Sequence, residues 1–120
     1  MRKIQSHRDL VVWQKSMELA VLIYRLTQQF PNTETYRLVS QITRSAASFP
    51  ANIAEGHARG TRRDYSHFLS IAKGSLMETE TYVLLSERLN YVEQSEARAV
   101  LAMITEISKM ITAIRGRLNA

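Results

Sequence analysis

The stretch "SFPANIAEGHARGTRRDY", residues 48–65, holds one proline, two glycines and a run of charged side chains between two segments with helical periodicity. Upstream, Val39, Ile42, Ala46, Phe49 and Ile53 recur at spacings of three and four, the seam of one helix packed along another at a shallow angle. That rhythm passes through Pro50, which lacks an N–H and crowds the carbonyl of Ala46, so a bend without a break is expected there. Gly56 or Gly60 can stop the helix in a left-handed conformation, and Thr61 followed three residues later by Asp64 has the spacing of a capped helix start. Downstream, Tyr65, Phe68, Leu69, Ala72, Leu76 and Val83 share one face of another helix. The stretch therefore reads as a tight junction that folds one helix back along the next.

Working outward, Asp9 is a candidate N-cap for a first helix in which Leu10, Trp13, Met17, Ala20 and Tyr24 run beside Val12, Leu19, Ile23, Leu26 and Phe30. Val11, Val21 and Leu22 fall on its otherwise polar half, which is more apolar surface than one bundle core needs and points to a partner chain. Pro31 ends this helix, and Asn32 or Thr33 can cap the next. Along the second helix Gln41, Ser45, Ser48, Asn52, Glu55 and Arg59 form a polar stripe, while Arg37 and Arg44 are the only charges between Tyr36 and Ala54. A helix with so little charge is expected to be enclosed on most sides, its polar groups bonded to neighbours. Gly74 and Ser75 predict a close backbone approach within the third helix. Ala97, Val100, Leu101, Ile104, Ile107, Ile111, Ile114 and Leu118 define the fourth. Helices over residues 9–30, 34–58, 62–89 and 93–117, with short connections, predict one all-α domain, an antiparallel up-down-up-down four-helix bundle.

Composition narrows the function classes. A chain of 120 residues is the size of one domain, and without cysteine it has neither a disulfide framework nor a thiolate metal site. The first residues lack the apolar run of a secretory signal, and no stretch approaches the roughly 18 apolar residues of a membrane span, so a cytoplasmic protein is expected. Sixteen Lys and Arg against eleven Asp and Glu leave a net charge of +5, which suits an anionic partner.

Catalytic signatures are missing from the sequence. There is no Glu-x-x-His pair for a di-iron bundle and no His-Glu-x-x-His, and His7, His57 and His67 fall in a tail, a turn and a helix. Neither a glycine-framed serine elbow nor a phosphate-cradling P-loop is present. No catalytic residue, metal or cofactor is expected. The junction cluster supports two readings. In one, Asn52 and Glu55 bond to backbone or to Arg44, and the arginines face water. In the other, Arg59, Arg62, Arg63 and Lys73 form a basic patch, with Arg62 and Arg63 in the first turn of a helix, where they oppose its dipole and a bound phosphate would relieve the conflict. Glu78 or Glu80 can answer Arg37 or Arg44 across the helix pair, making Arg44, Asn52, Glu55 and Glu78 a structural polar cluster. Tyr24, Tyr36, Tyr65 and Tyr82 read as core residues with polar tips.

The order Trp13-Gln14, Phe30-Pro31, Arg44, Pro50, Asn52-Ile53-Ala54-Glu55-Gly56, Arg59, Phe68-Leu69 and Gly74-Ser75 with Glu78 and Glu80 resembles the four-helix-bundle proteins encoded in intervening sequences of 23S ribosomal RNA genes. One departure is Thr43, where that family commonly carries a second basic residue before Arg44. The resemblance implies assembly into a ring of five and no established enzymatic activity. It extends to the accessory variability determinant proteins of diversity-generating retroelements, basic pentameric barrels that bind nucleic acid and a reverse transcriptase. The expectation is a non-enzymatic homo-oligomer that binds RNA or DNA through phosphate contacts; the alternative is an oligomeric scaffold for a partner protein.

Overall fold

The computed structural model describes residues 3–120 and contains four long helices, α1 (Val11–Thr27), α2 (Leu38–Ala58), α3 (Arg62–Arg88) and α4 (Gln94–Leu118), with no strand among the described residues. Cross-helix bonds give the directions. Ser45 meets Thr79 and Ser48 meets Ser75, so rising numbers on α2 face falling numbers on α3. Lys73 with Thr112 and Ser66 with Arg115 make α3 and α4 antiparallel, and Lys15 with Glu106 and Gln29 with Glu96 do the same for α1 and α4. The chain is an all-α four-helix bundle.

Leu19 and Ile23 of α1, Ile42, Phe49 and Ile53 of α2, Leu69, Leu76 and Val83 of α3, and Ile104, Ile107 and Ile111 of α4 are essentially inaccessible to solvent. Burying each such side chain stabilises the fold by about 1.5–3 kcal/mol, and together they make one continuous core. The α2–α3 seam is different, because small polar side chains bring those helices close. The Ser45 and Thr79 hydroxyls lie 2.8 Å apart, as do those of Ser48 and Ser75, and the Asn52 amide donates to the Ser48 carbonyl at 2.8 Å. Thr79 also donates to the Ser75 carbonyl at 2.9 Å, and no buried side-chain nitrogen or oxygen among the described residues lacks a partner. At the end of the seam Gly56 is indispensable for space: a Cβ there would stand 2.6 Å from Phe68 Cβ.

The quoted junction folds largely as read. The α2 helix runs through buried Pro50 without a break and ends at Ala58; Gly60 adopts φ +83, and Thr61 Oγ1 accepts from the Asp64 N–H at 3.1 Å to cap α3. Several boundaries move. Asp9 does not cap α1: it closes a single 3-10 turn, His7–Asp9, its carboxylate accepting from the Gln5 and Ser6 N–H groups while Ser6 caps the turn. The α1 helix stops at Thr27, not Phe30, and Asn32–Glu34 forms a separate 3-10 turn, so α2 starts at Leu38 instead of residue 34. The last connection turns at Asn90, φ 63, a left-handed position not anticipated from sequence.

Three packing expectations are corrected. The α2 helix is not enclosed within one chain, since Gln41, Arg44, Ala47, Ala51, Glu55 and Ala58 are all exposed. A Cβ added at Gly74 would meet nothing within 4 Å, so of the pair Gly74 and Ser75 it is Ser75 that meets α2, through Ser48. Met17 and Tyr24 are 40% and 48% exposed, because the face of α1 that enters the core is the one carrying Val12, Leu19, Ile23 and Leu26, and Tyr36, in the turn before α2, is 94% exposed.

At the α3–α4 connection, Glu96 accepts from the Gln29 side chain at 2.8 Å and from the Glu93 N–H at 3.1 Å. Those bonds, the Gln29 one foremost, hold its carboxyl below the usual carboxylate range. A group lowered in the fold adds stability that is present above its unfolded pKa and is lost as pH falls through the lowered folded value. Glu96→Gln is therefore expected to shrink the drop in melting temperature between about pH 7 and about pH 3. An undiminished drop would contradict this.

Candidate nucleic-acid interface

Antiparallel packing gathers the α2–α3 junction, the N-terminal segment and the last turns of α4 at one end of the bundle. Ile4, Leu10 and Val11 border a surface pocket with Met110, Ile114 and Arg117, and Arg115 Nε reaches Ser66 Oγ at 3.3 Å. Charge is distributed unevenly along the long axis. The half made by residues 3–18, 48–75 and 106–120 carries ten Lys and Arg against five Asp and Glu; the other half, 19–47 and 76–105, carries five against six. The positive excess thus belongs to the junction half, where fields from neighbouring cations add.

The four cations singled out in the sequence do not form one cluster. Arg62 and Arg63 are exposed in the first turn of α3 and neither makes an ion pair among the described residues. Arg59 is already engaged: its Nε lies 3.3 Å from Glu55 Oε2 and its guanidinium stacks 5.0 Å from the Phe68 ring centroid. Lys73 donates to Thr112 Oγ1 at 2.9 Å in a groove between α3 and α4, eleven residues or roughly 16 Å along the helix from Arg62. In its place the fold brings up Arg115 and Arg117. Arg117 acts on Tyr65, whose phenol burial pushes above its ordinary value and Arg117 pulls back. Neither arginine stands out in the sequence, since basic residues in a last turn also answer the helix dipole locally; the antiparallel order of α3 and α4 is the signal that puts them beside the first turn of α3.

The polar cluster expected from Arg44, Asn52, Glu55 and Glu78 does not assemble. Asn52 turns inward to Ser48, Glu55 pairs with Arg59 one turn on, and Arg44 and Glu78 are exposed without an ion pair among the described residues. Local partners one turn away on the same helix win over partners across the helix pair, because they need no further ordering of long side chains. Among the described residues no group of three or more His, Asp or Glu could hold a metal ion. No described helix is long and apolar enough to cross a membrane.

A second feature lies on a different face. Between α1 and α2 runs an open groove of about 580 Å³ whose walls include Trp13, Met17, Val21 and Tyr24 and whose floor includes Ala47, Pro50, Ala51 and Ala54. Among the described residues Arg25 is its one Lys or Arg. Its lining is mostly apolar, in contrast to the charged junction end.

Four long helices without a strand among the described residues, with a tight polar α2–α3 seam, define the class: a small all-α four-helix bundle. The chain belongs to the 23S rRNA-intervening sequence protein family, whose model matches residues 8–113. Among solved structures it is similar to a protein of unknown function from the S23 ribosomal protein family of Bacteroides thetaiotaomicron VPI-5482, at 31% identity over 88% of this chain and 98% of that one, with a TM-score of 0.79. No curated protein matches it.

Proposed function

We propose that this protein is a non-enzymatic, self-associating bundle, a ring of five, that binds RNA or DNA through phosphate contacts with little sequence specificity. The observation that carries the reading is the concentration of positive charge at the junction end, with Arg62 and Arg63 making no ion pair among the described residues and Arg115 and Arg117 on the adjoining helix. Exposed cations without acidic partners gain most from phosphate, since each contact releases condensed counterions. Self-association is supported by the apolar side chains that α1 and α3 leave in water, and it would repeat the basic end in every copy and so multiply avidity.

Fluorescence anisotropy of a labelled 25-nucleotide RNA and its DNA counterpart, titrated with protein across a range of salt, tests the binding. The expected result is a linear fall of log affinity with log salt, with a slope of about −3 for single strands if four phosphates are neutralised per copy, and similar values for unrelated sequences. Absence of binding at low salt, or affinity indifferent to salt, would remove the proposal.

A further inference from the structure

Two apolar features remain unpartnered, and they lie on different faces of the bundle. One is the groove between α1 and α2. The other is a ridge on α3: Ile71, Glu78 and Leu85 follow one another at seven-residue spacing, Leu89 continues the line, and the apolar members are 39%, 43% and 44% exposed. Two-turn spacing keeps these side chains on one stripe of the helix. Gly74 lies beside that stripe, and a Cβ there would meet nothing within 4 Å, so another backbone can come close.

The ridge is long enough to fill the groove and complements it in charge. From Trp13 to Gln28 the groove wall covers fifteen residue steps, about 22 Å of helix, and from Ile71 to Leu89 the ridge covers eighteen, about 27 Å. The groove floor is alanine, which lets a helix settle at short interaxial distance. The ridge has one acid at its middle, Glu78. The groove has Arg25 at its edge, and Arg44 sits on the exposed face of α2 one turn before Ala47. None of these three charges makes an ion pair among the described residues.

We infer that the α3 ridge of one copy docks in the α1–α2 groove of the next, with Glu78 answering Arg25 or Arg44 across the contact. This rests on the self-association proposed above and adds its geometry. The contact is heterologous: each copy offers a groove to one neighbour and a ridge to the other, so the assembly is closed by rotation instead of pairing like with like. It also gives partners to Arg44 and Glu78, which make no ion pair among the described residues.

The test uses two variants at exposed positions, Val21→Asp in the groove and Leu85→Asp on the ridge, with circular dichroism to show that both fold. Light scattering of each alone is expected to give monomers at concentrations where the natural sequence is multimeric. Mixed in equal amounts they are expected to form a one-to-one dimer and nothing larger, because the intact ridge of the Val21→Asp copy fits the intact groove of the Leu85→Asp copy. A mixture that stays monomeric, or a Leu85→Asp variant that assembles like the natural sequence, overturns the docking geometry while leaving self-association standing. A natural sequence that is itself monomeric overturns both.

Discussion

Replacing Gly56 by alanine is expected to destabilise the fold by about 2–3 kcal/mol, the upper part of the range for overpacking a well-filled interior, and to lower the melting temperature by roughly 10 °C for a domain of this size. The added Cβ would lie 2.6 Å from Phe68 Cβ and 3.3 Å from the Tyr65 carbonyl oxygen. Neither atom can swing aside, since one is fixed to the backbone and the other is part of it. Either α2 and α3 separate along the seam, straining the Ser48–Ser75 and Ser45–Thr79 bonds, or the first turns of α3 shift. Gly116 supplies the control. It is exposed in α4 with nothing within 4 Å of a new Cβ, so Gly116→Ala should stabilise the helix, by up to about 1 kcal/mol from backbone entropy. Thermal melts of both variants beside the natural sequence read the two signs; a Gly56→Ala protein that melts with the natural one would show that the seam is looser than described.

That contrast bears on what the sequence reveals. Helical periodicity identified the four helices and most of the core, including Ile42, Phe49 and Ile53, because apolar spacing records which face is buried. It could not separate a face turned to the core from one turned to a second molecule. Met17 and Tyr24 fit the same rhythm as Ile23, yet they line the groove and stay exposed. Ends were less legible than middles: Asp9 has the chemistry of an N-cap, and only the geometry shows it closing the preceding turn. Gly56 and Gly60 looked alike as helix stops. One is a packing contact inside the helix and the other takes the positive φ, a distinction that depends on Phe68 twelve residues away.

The candidate interface was legible in part, for a related reason. Arg62 and Arg63 are neighbours in the chain, so their proximity needs no fold. Arg115 and Arg117 become their neighbours only when α4 returns antiparallel to α3, as the Arg115–Ser66 bond records. Of the two that sequence grouped with them, Lys73 lies in another groove between α3 and α4, and Arg59 is paired with Glu55 and stacked on Phe68. The proposed interface therefore divides the cations by position and by ion pairing, a division that mutagenesis can resolve.

Changing Arg62, Arg63, Arg115 and Arg117 together to glutamine is expected to give the largest functional effect. In the counterion-release picture each lost phosphate contact removes about 0.7 to 0.9 from the magnitude of the salt slope, so the slope should shrink by roughly 3. The same relation makes each contact worth a factor of about five to eight at 0.1 M salt, and four of them on the order of a thousandfold in affinity. Folding should survive, since Arg62, Arg63 and Arg117 are exposed and Arg115 gives up one bond to Ser66. Lys73→Gln should change affinity by less than about twofold, because that ammonium lies in another groove with its own acceptor. Arg59→Gln should lower the melting temperature slightly through loss of the Glu55 and Phe68 contacts, with little change in salt slope. If Lys73→Gln instead weakened binding as much as the four-arginine variant, phosphate would be held along the α3–α4 flank, and the end-on interface would be wrong.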